Sequence, residues 1–252
     1  MFPYHDENQT QRPAVVTVTI IIVCVVAWIV VQGAGATVPL ARSICNLGLI
    51  PGELTGLLAA GSRFPLDEGL VCIADPGPQP WNVISSMFLH GGWMHLLGNM
   101  WFLWLFGNNI EDSMTRVRFV AFYLLSGIAA ALLQVFVEPN SAIPMVGASG
   151  AISGVMGAYL VLYPRVRVFT FVPLGFIMTS VALPAWVMLL YWMLLQVLGG
   201  FTRIGGEGGG VAFWAHVGGF LAGVVLVKLF ARPDRVRAHE SRHWRPEHVG
   251  WQ

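Results

Sequence analysis

Ser149 stands in Gly147-Ala148-Ser149-Gly150 at the head of an otherwise apolar stretch, and His216 stands in a second one, Ala215-His216-Val217-Gly218-Gly219. Serine is a weak nucleophile until a base within hydrogen-bond reach takes its proton, and the oxyanion that forms on a substrate then needs fixed donors. His216 can serve as that base. His95, Asn99 and the Ser149 backbone N–H can serve as the donors, because His95 and Asn99 are four residues apart and share a helix face, about 40° apart. The chemistry within reach of this set is acyl transfer and hydrolysis. The acidic residues nearest in sequence, Glu138 before Ser149 and Glu207 before His216, lie in connecting segments, so a serine–histidine dyad is the economical reading.

Of the seven histidines, His5, His239, His243 and His248 lie in terminal segments, which leaves His90, His95 and His216 in apolar ones. Ionisable residues inside apolar spans are functional candidates by default. His90 and His95 are five apart and would diverge by about 140° on a continuous helix, which does not fit the four-residue spacing of a two-histidine zinc helix. No metal and no other cofactor is expected.

These residues must be positioned by membrane spans. The chain has 252 residues, 56% hydrophobic and 11% charged, against about 25% charged in an average soluble domain. Ala14 to Val31 is free of charge and exceeds the roughly 7 to 15 residues of a signal-peptide core, so it reads as a retained span. Further apolar runs at about 83–106, 117–137, 148–163, 172–198 and 211–230 bring the expected number of spans to six.

Lysine and arginine near span ends stay on the cytoplasmic side. With six spans and an inner N-terminus, 11 of the 14 basic residues fall on the inner side and three, Arg42, Arg63 and Arg203, on the outer. One span more or fewer would scramble that alternation. The expected organisation is an inner N-terminal tail over 1–13, a membrane core over 14–231 with a long outer loop over 32–82, and a basic inner C-terminal tail over 232–252. That tail also carries Asp234, Glu240 and Glu247. It therefore reads as solvated beside anionic lipid, with no nucleic-acid partner.

From Ser149 to Pro164 is about 22 Å of helix, less than the roughly 30 Å hydrocarbon core, so the fourth span is expected to be short and Ser149 recessed about 8 Å below the outer interface. Irregular backbone before it must then be covered by protein or line a wet cavity open to the outside. The alternation puts His90, His95, Asn99, Ser149 and His216 in the same outer half. Gly150 with Gly154, and Gly219 with Gly223, form two small-residue faces that allow close helix approach. Pro184 inside the fifth run is expected to kink it, either as a static kink or as the mark of a moving element. Cys45 and Cys72 share the outer loop: a disulfide if that loop faces an oxidising compartment, two free thiols if not.

The motifs Gly147-Ala148-Ser149-Gly150, His90 to Asn99 (H-x4-H-x3-N) and Ala215-His216-Val217-Gly218-Gly219 with Gly223, in this order over about 81–230, resemble the rhomboid intramembrane serine proteases. The resemblance implies an all-α, six-span bundle with a short, recessed fourth helix. It implies Ser149 as nucleophile, His216 as general base, and His95, Asn99 and the Ser149 N–H around the oxyanion, with His90, Gly147, Gly150, Gly219 and Gly223 in support. Substrates would be transmembrane proteins, cut in or near a helix by a serine endopeptidase embedded in a lipid bilayer. The setting would be a bacterial inner membrane, with both termini cytoplasmic and the site open outward. A catalytically silent relative that binds membrane helices is the alternative. Two departures from the family pattern are visible: Trp81-Asn82 stands where Trp-Arg is frequent, which removes an arginine from the Glu111 region, and Ser153 stands where an aromatic residue would stack on the base histidine.

Overall fold

A computed structural model describes residues 2–67, 69–174, 177–203 and 211–243. In chain order the elements are β1 (Phe2–Asp6), α1 (Val15–Val26, continued by a π-helical turn Ala27–Val31), α2 (Thr37–Leu47), α3 (Pro51–Leu54), β2 (Arg63–Asp67) and β3 (Leu70–Ile73). Then come α4 (Asn82–Ser85), α5 (Trp93–Phe102, with a π turn Leu103–Gly107), α6 (Asn108–Ser113), α7 (Arg116–Val137) and α8 (Ser149–Leu162). The chain closes with β4 (Arg167–Leu174), β5 (Ile177–Pro184), α9 (Ala185–Arg203), α10 (Phe213–Phe230) and α11 (Pro233–His243).

Among the described residues three helices, Arg116–Val137, Ala185–Thr202 and Phe213–Phe230, are long and apolar enough to cross a membrane; Val15–Val31 and Ser149–Leu162 are shorter apolar helices. Their outward faces carry large apolar side chains, Phe136 at 82% and Leu229 at 70% exposure, while the seams between helices are lined by glycine, alanine and serine. That is the distribution expected where lipid is as apolar as leucine and small residues decide helix contact. Trp28, Phe106, Phe122, Tyr123 and Tyr159 fill the core.

The protein is mostly helical rather than all-α. β1, β4 and β5 form an antiparallel sheet in that order, with Phe2 opposite Phe171 and Val168 opposite Leu183. The β-branched and aromatic run Val168-Phe169-Thr170-Phe171-Val172 suits a pleated strand. Hydropathy alone could not separate this apolar run from a helix, so the fifth helix starts at Ala185 and not near Val172. Pro184 consequently sits just ahead of α9, where a missing N–H is harmless, and does not kink it.

The N-terminal segment is likewise built in. The Asp6 carboxylate accepts from Tyr159 Oη at 2.7 Å and Asn109 Nδ2 at 3.0 Å, and Arg12 pairs with Asp112 at 3.0 Å. Part of the C-terminal segment is α11; Arg245, Glu247 and His248 fall outside the described residues, as does Glu207.

The second expected span is not one helix either. Residues 89–92 are irregular, the helix proper begins at Trp93, and a π turn interrupts it at Leu103. His90 therefore precedes the helix, and its divergence from His95 on a helical wheel does not apply: the two rings meet edge-on with centroids 5.3 Å apart.

In the long loop, Cys45 of α2 and Cys72 of β3 are joined by a disulfide. It staples a small cluster of Ile50, Phe64, Cys72 and Ala74 against which Ala142 packs. Leu49 and Met145 exchange backbone hydrogen bonds of 3.0 and 2.7 Å, so this lobe covers the irregular stretch that leads to Ser149.

Candidate active site

The site is assembled at the N-terminal ends of α8 and α10, which run parallel and touch backbone to backbone. A Cβ on Gly219 would run into the Gly150 carbonyl, and one on Gly223 into the Gly154 carbonyl. α7 packs antiparallel across both, with Ala130 against Gly150 and Ser126 against Gly154. The small-residue faces expected from sequence are thus the faces that meet, and they carry Ser149 and His216 to one level. Ser149 Oγ lies 2.8 Å from His216 Nε2.

Gly147 adopts φ +131°, a conformation open to glycine and costly for other residues. Its N–H donates to the Ser86 carbonyl at 2.9 Å, which turns the chain into α8. No side chain caps that helix, so the N–H groups of its first turn, Ser149 among them, remain available to an anion.

His95 Nε2 points at the same place: a Cβ on Gly147 would lie 2.8 Å from it. The other ring nitrogen, Nδ1, accepts the Gly91 N–H at 3.2 Å. In a neutral ring Nε2 then carries the hydrogen and is a donor. Asn99, expected beside His95, donates one Nδ2 hydrogen to the His95 carbonyl at 2.9 Å; its second amide hydrogen is not committed by that bond. His90 is fully buried, and its backbone is clamped by Gln32, which accepts from His90 N and donates to His90 O, both at 2.8 Å.

A cavity of about 1130 Å³ opens over these groups, lined by Gly91, His95, Asn99, Ser149, Trp192 and His216 among others, and reached by Pro65 and Leu66 of the β2–β3 hairpin. Ser153 donates its hydroxyl back to the Ser149 carbonyl at 2.6 Å and so stays within its own helix.

Sequence reasoning missed two glutamines. Gln196 of α9 places Oε1 2.8 Å from His216 Nδ1, and Gln134 of α7 accepts from the Ala215 N–H at 3.1 Å while donating to Glu138 at 2.9 Å. The search was for an acid, and both are neutral amides. The signal available was a single amide in an apolar run, four residues after Trp192. The expected link between position 82 and Glu111 is not made: Asn82 Nδ2 donates to the carbonyls of Asn46 and Gly48 at 3.3 and 3.0 Å, whereas Val16 N, Thr17 N and Thr17 Oγ1 donate to the Glu111 carboxylate at 2.8 to 2.9 Å.

A sequence model of the rhomboid domain matches residues 77–233. The chain belongs to the rhomboid family. It is 30% identical over 148 residues to Rhomboid protein 1, mitochondrial, of Saccharomyces cerevisiae, covering 57% of this chain and 40% of that protein. It is 39% identical over 80 residues to Putative rhomboid protease YdcA of Bacillus subtilis, covering 32% and 40%. It is also 38% identical over 80 residues to RHOMBOID-like protein 5 of Arabidopsis thaliana, covering 32% and 26%. The chain thus spans 26% to 40% of the length of these relatives. As a rhomboid with helices apolar enough to span a bilayer, it is an integral membrane protein.

Proposed function

We propose that this rhomboid is an intramembrane serine endopeptidase that hydrolyses peptide bonds in or near transmembrane helices of other membrane proteins. The observation that carries the reading is the 2.8 Å approach of Ser149 Oγ to His216 Nε2 beneath an open cavity. His216 takes the hydroxyl proton as Ser149 attacks the substrate carbonyl. The oxyanion forms against the Ser149 N–H and His95 Nε2–H, with the free amide hydrogen of Asn99 in support. The protonated His216 then returns its proton to the leaving amine, and water hydrolyses the acyl-enzyme with His216 as base again. A substrate helix must first unwind locally, because its carbonyls are engaged by their own hydrogen bonds.

The finer topology belongs to the same proposal: six passages through the membrane, tails 1–13 and 232–252 inside, and the site open outward in a bacterial plasma membrane. Two observations support it. Eleven of the 14 basic residues fall on the side assigned as inner, and the disulfide of the long loop suits an oxidising outer compartment. Labelling with a fluorophosphonate separates the enzyme from a silent relative that only binds helices. The expected result is covalent label on Ser149 in the wild-type protein and none in His216→Ala; an unlabelled wild type would overturn the proposal.

A further inference from the structure

Only one nitrogen of the His216 ring is used on Ser149. Nδ1 faces Gln196 Oε1 at 2.8 Å, and Gln196 Nε2 donates to the Trp192 carbonyl one turn back at 3.2 Å. That second bond fixes which end of the amide faces the ring, independently of the histidine. An amide oxygen can only accept, so Nδ1 carries the hydrogen and the lone pair of the neutral ring sits on Nε2, aimed at Ser149 Oγ. The opposite tautomer would set two lone pairs against each other at Gln196 and present an N–H where the base must accept.

We propose that Gln196 is the positioning residue of the catalytic base, holding His216 in its Nδ1–H form and at its working angle; this rests on the serine–histidine reading above. Gln196 is 8% exposed, so the bond is made with little competition from solvent. The Trp192 ring lies 5.6 Å from the imidazole and 6.4 Å from Phe220, which walls the same side. The pair Trp192 and Gln196 thus replaces the aromatic missing at Ser153. A neutral amide does this without an anion that would need its own counter-charge at this depth.

Gln196 does not titrate, and among the described residues the titratable group acting on His216 is His95 of α5. Ser149 faces it from α8, Ser153 turns back to the Ser149 carbonyl, and Glu138 at the end of α7 is engaged by Gln134. Because Gln196 belongs to α9 and His216 to α10, the base is aligned only while α9 is seated on α10.

The test uses the purified full chain and a reporter transmembrane substrate across a pH series. Gln196→Met keeps length without the acceptor; Gln196→Glu keeps the acceptor and adds a charge. The account expects kcat to fall about a hundredfold in Gln196→Met with KM within about twofold. In Gln196→Glu it expects kcat within about tenfold of wild type and an acid limb moved up by about one pH unit, because a carboxylate favours the protonated ring. Wild-type kcat in the Met variant overturns the proposal. Equal losses in both variants with an unmoved acid limb also overturn it, since they mark packing alone. Ser149→Ala is run alongside: if it cleaves like wild type, the dyad falls and Gln196 with it; if it is silent, the Gln196 variants decide.

Discussion

α10 meets its two neighbours by different means. Against α8 it presents Gly219 and Gly223 to the carbonyls of Gly150 and Gly154, backbone on backbone. Against α9 it presents side chains: Phe213 lies over Gly199, Trp214 over Gly200, Phe220 beside Trp192, and His216 on Gln196. The first contact has no slack, since any Cβ strikes a carbonyl. The second is adjustable, because rings and amides can rotate. Distance between nucleophile and base is thus set by the rigid seam, and the orientation of the base by the yielding one.

Breaking the rigid seam should have the largest effect. Gly219→Val forces α8 and α10 apart, and overpacking of this kind costs about 1–3 kcal/mol even before geometry is lost. The expected outcome is no detectable cleavage and a lowered thermal midpoint, whereas Gly77→Ala, where nothing lies within 4 Å of the new methyl, should behave as wild type. Activity in Gly219→Val within tenfold of wild type would mean that the seam does not set the distance.

Next comes the lobe that covers the approach to Ser149. Replacing both Cys45 and Cys72 by serine removes a cross-link spanning 27 residues; such links contribute about 2–4 kcal/mol. Limited proteolysis should then cut within 48–82 several times faster, with kcat reduced less than in Gly219→Val.

Gly200→Ala probes the yielding contact. Its methyl would come 2.9 Å from the Trp214 ring, which can turn aside, and the gain in helix propensity of about 1 kcal/mol offsets part of the strain. Stability should stay within about 1 kcal/mol of wild type by thermal unfolding, and activity within about tenfold. Smallest of all, Arg167→Ala removes an exposed ion pair to Glu7. Its expected cost is under about 1 kcal/mol, with cleavage unchanged.

Much of the site was legible because its signals are local. Glycines four apart, a serine heading a short apolar run and a histidine in another are all read directly from spacing. What escaped was non-local or neutral. The pairing of Phe2–Asp6 with Arg167–Leu174 joins segments some 165 residues apart, which no window can register. The strands β4 and β5 are apolar enough to pass for the start of a helix. Gln196 went unseen because a partner for the base was sought among acids, although a buried amide can hold a tautomer as well as a carboxylate can. Glu111 shows the same limit: spacing could not tell that its carboxylate is held by backbone and hydroxyl donors at the start of α1, while Asn82 is engaged elsewhere, on the carbonyls of Asn46 and Gly48.

The central claim is that Ser149 and His216 together cut a membrane-embedded peptide bond. Its most direct measurement is cleavage of a reporter transmembrane substrate by the purified protein reconstituted in liposomes, beside Ser149→Ala and His216→Ala, with the fragments sized by mass spectrometry. The account predicts two complementary fragments from the wild type, cut in or next to the apolar helix, and none from either variant. The same fragments from Ser149→Ala or His216→Ala would contradict it.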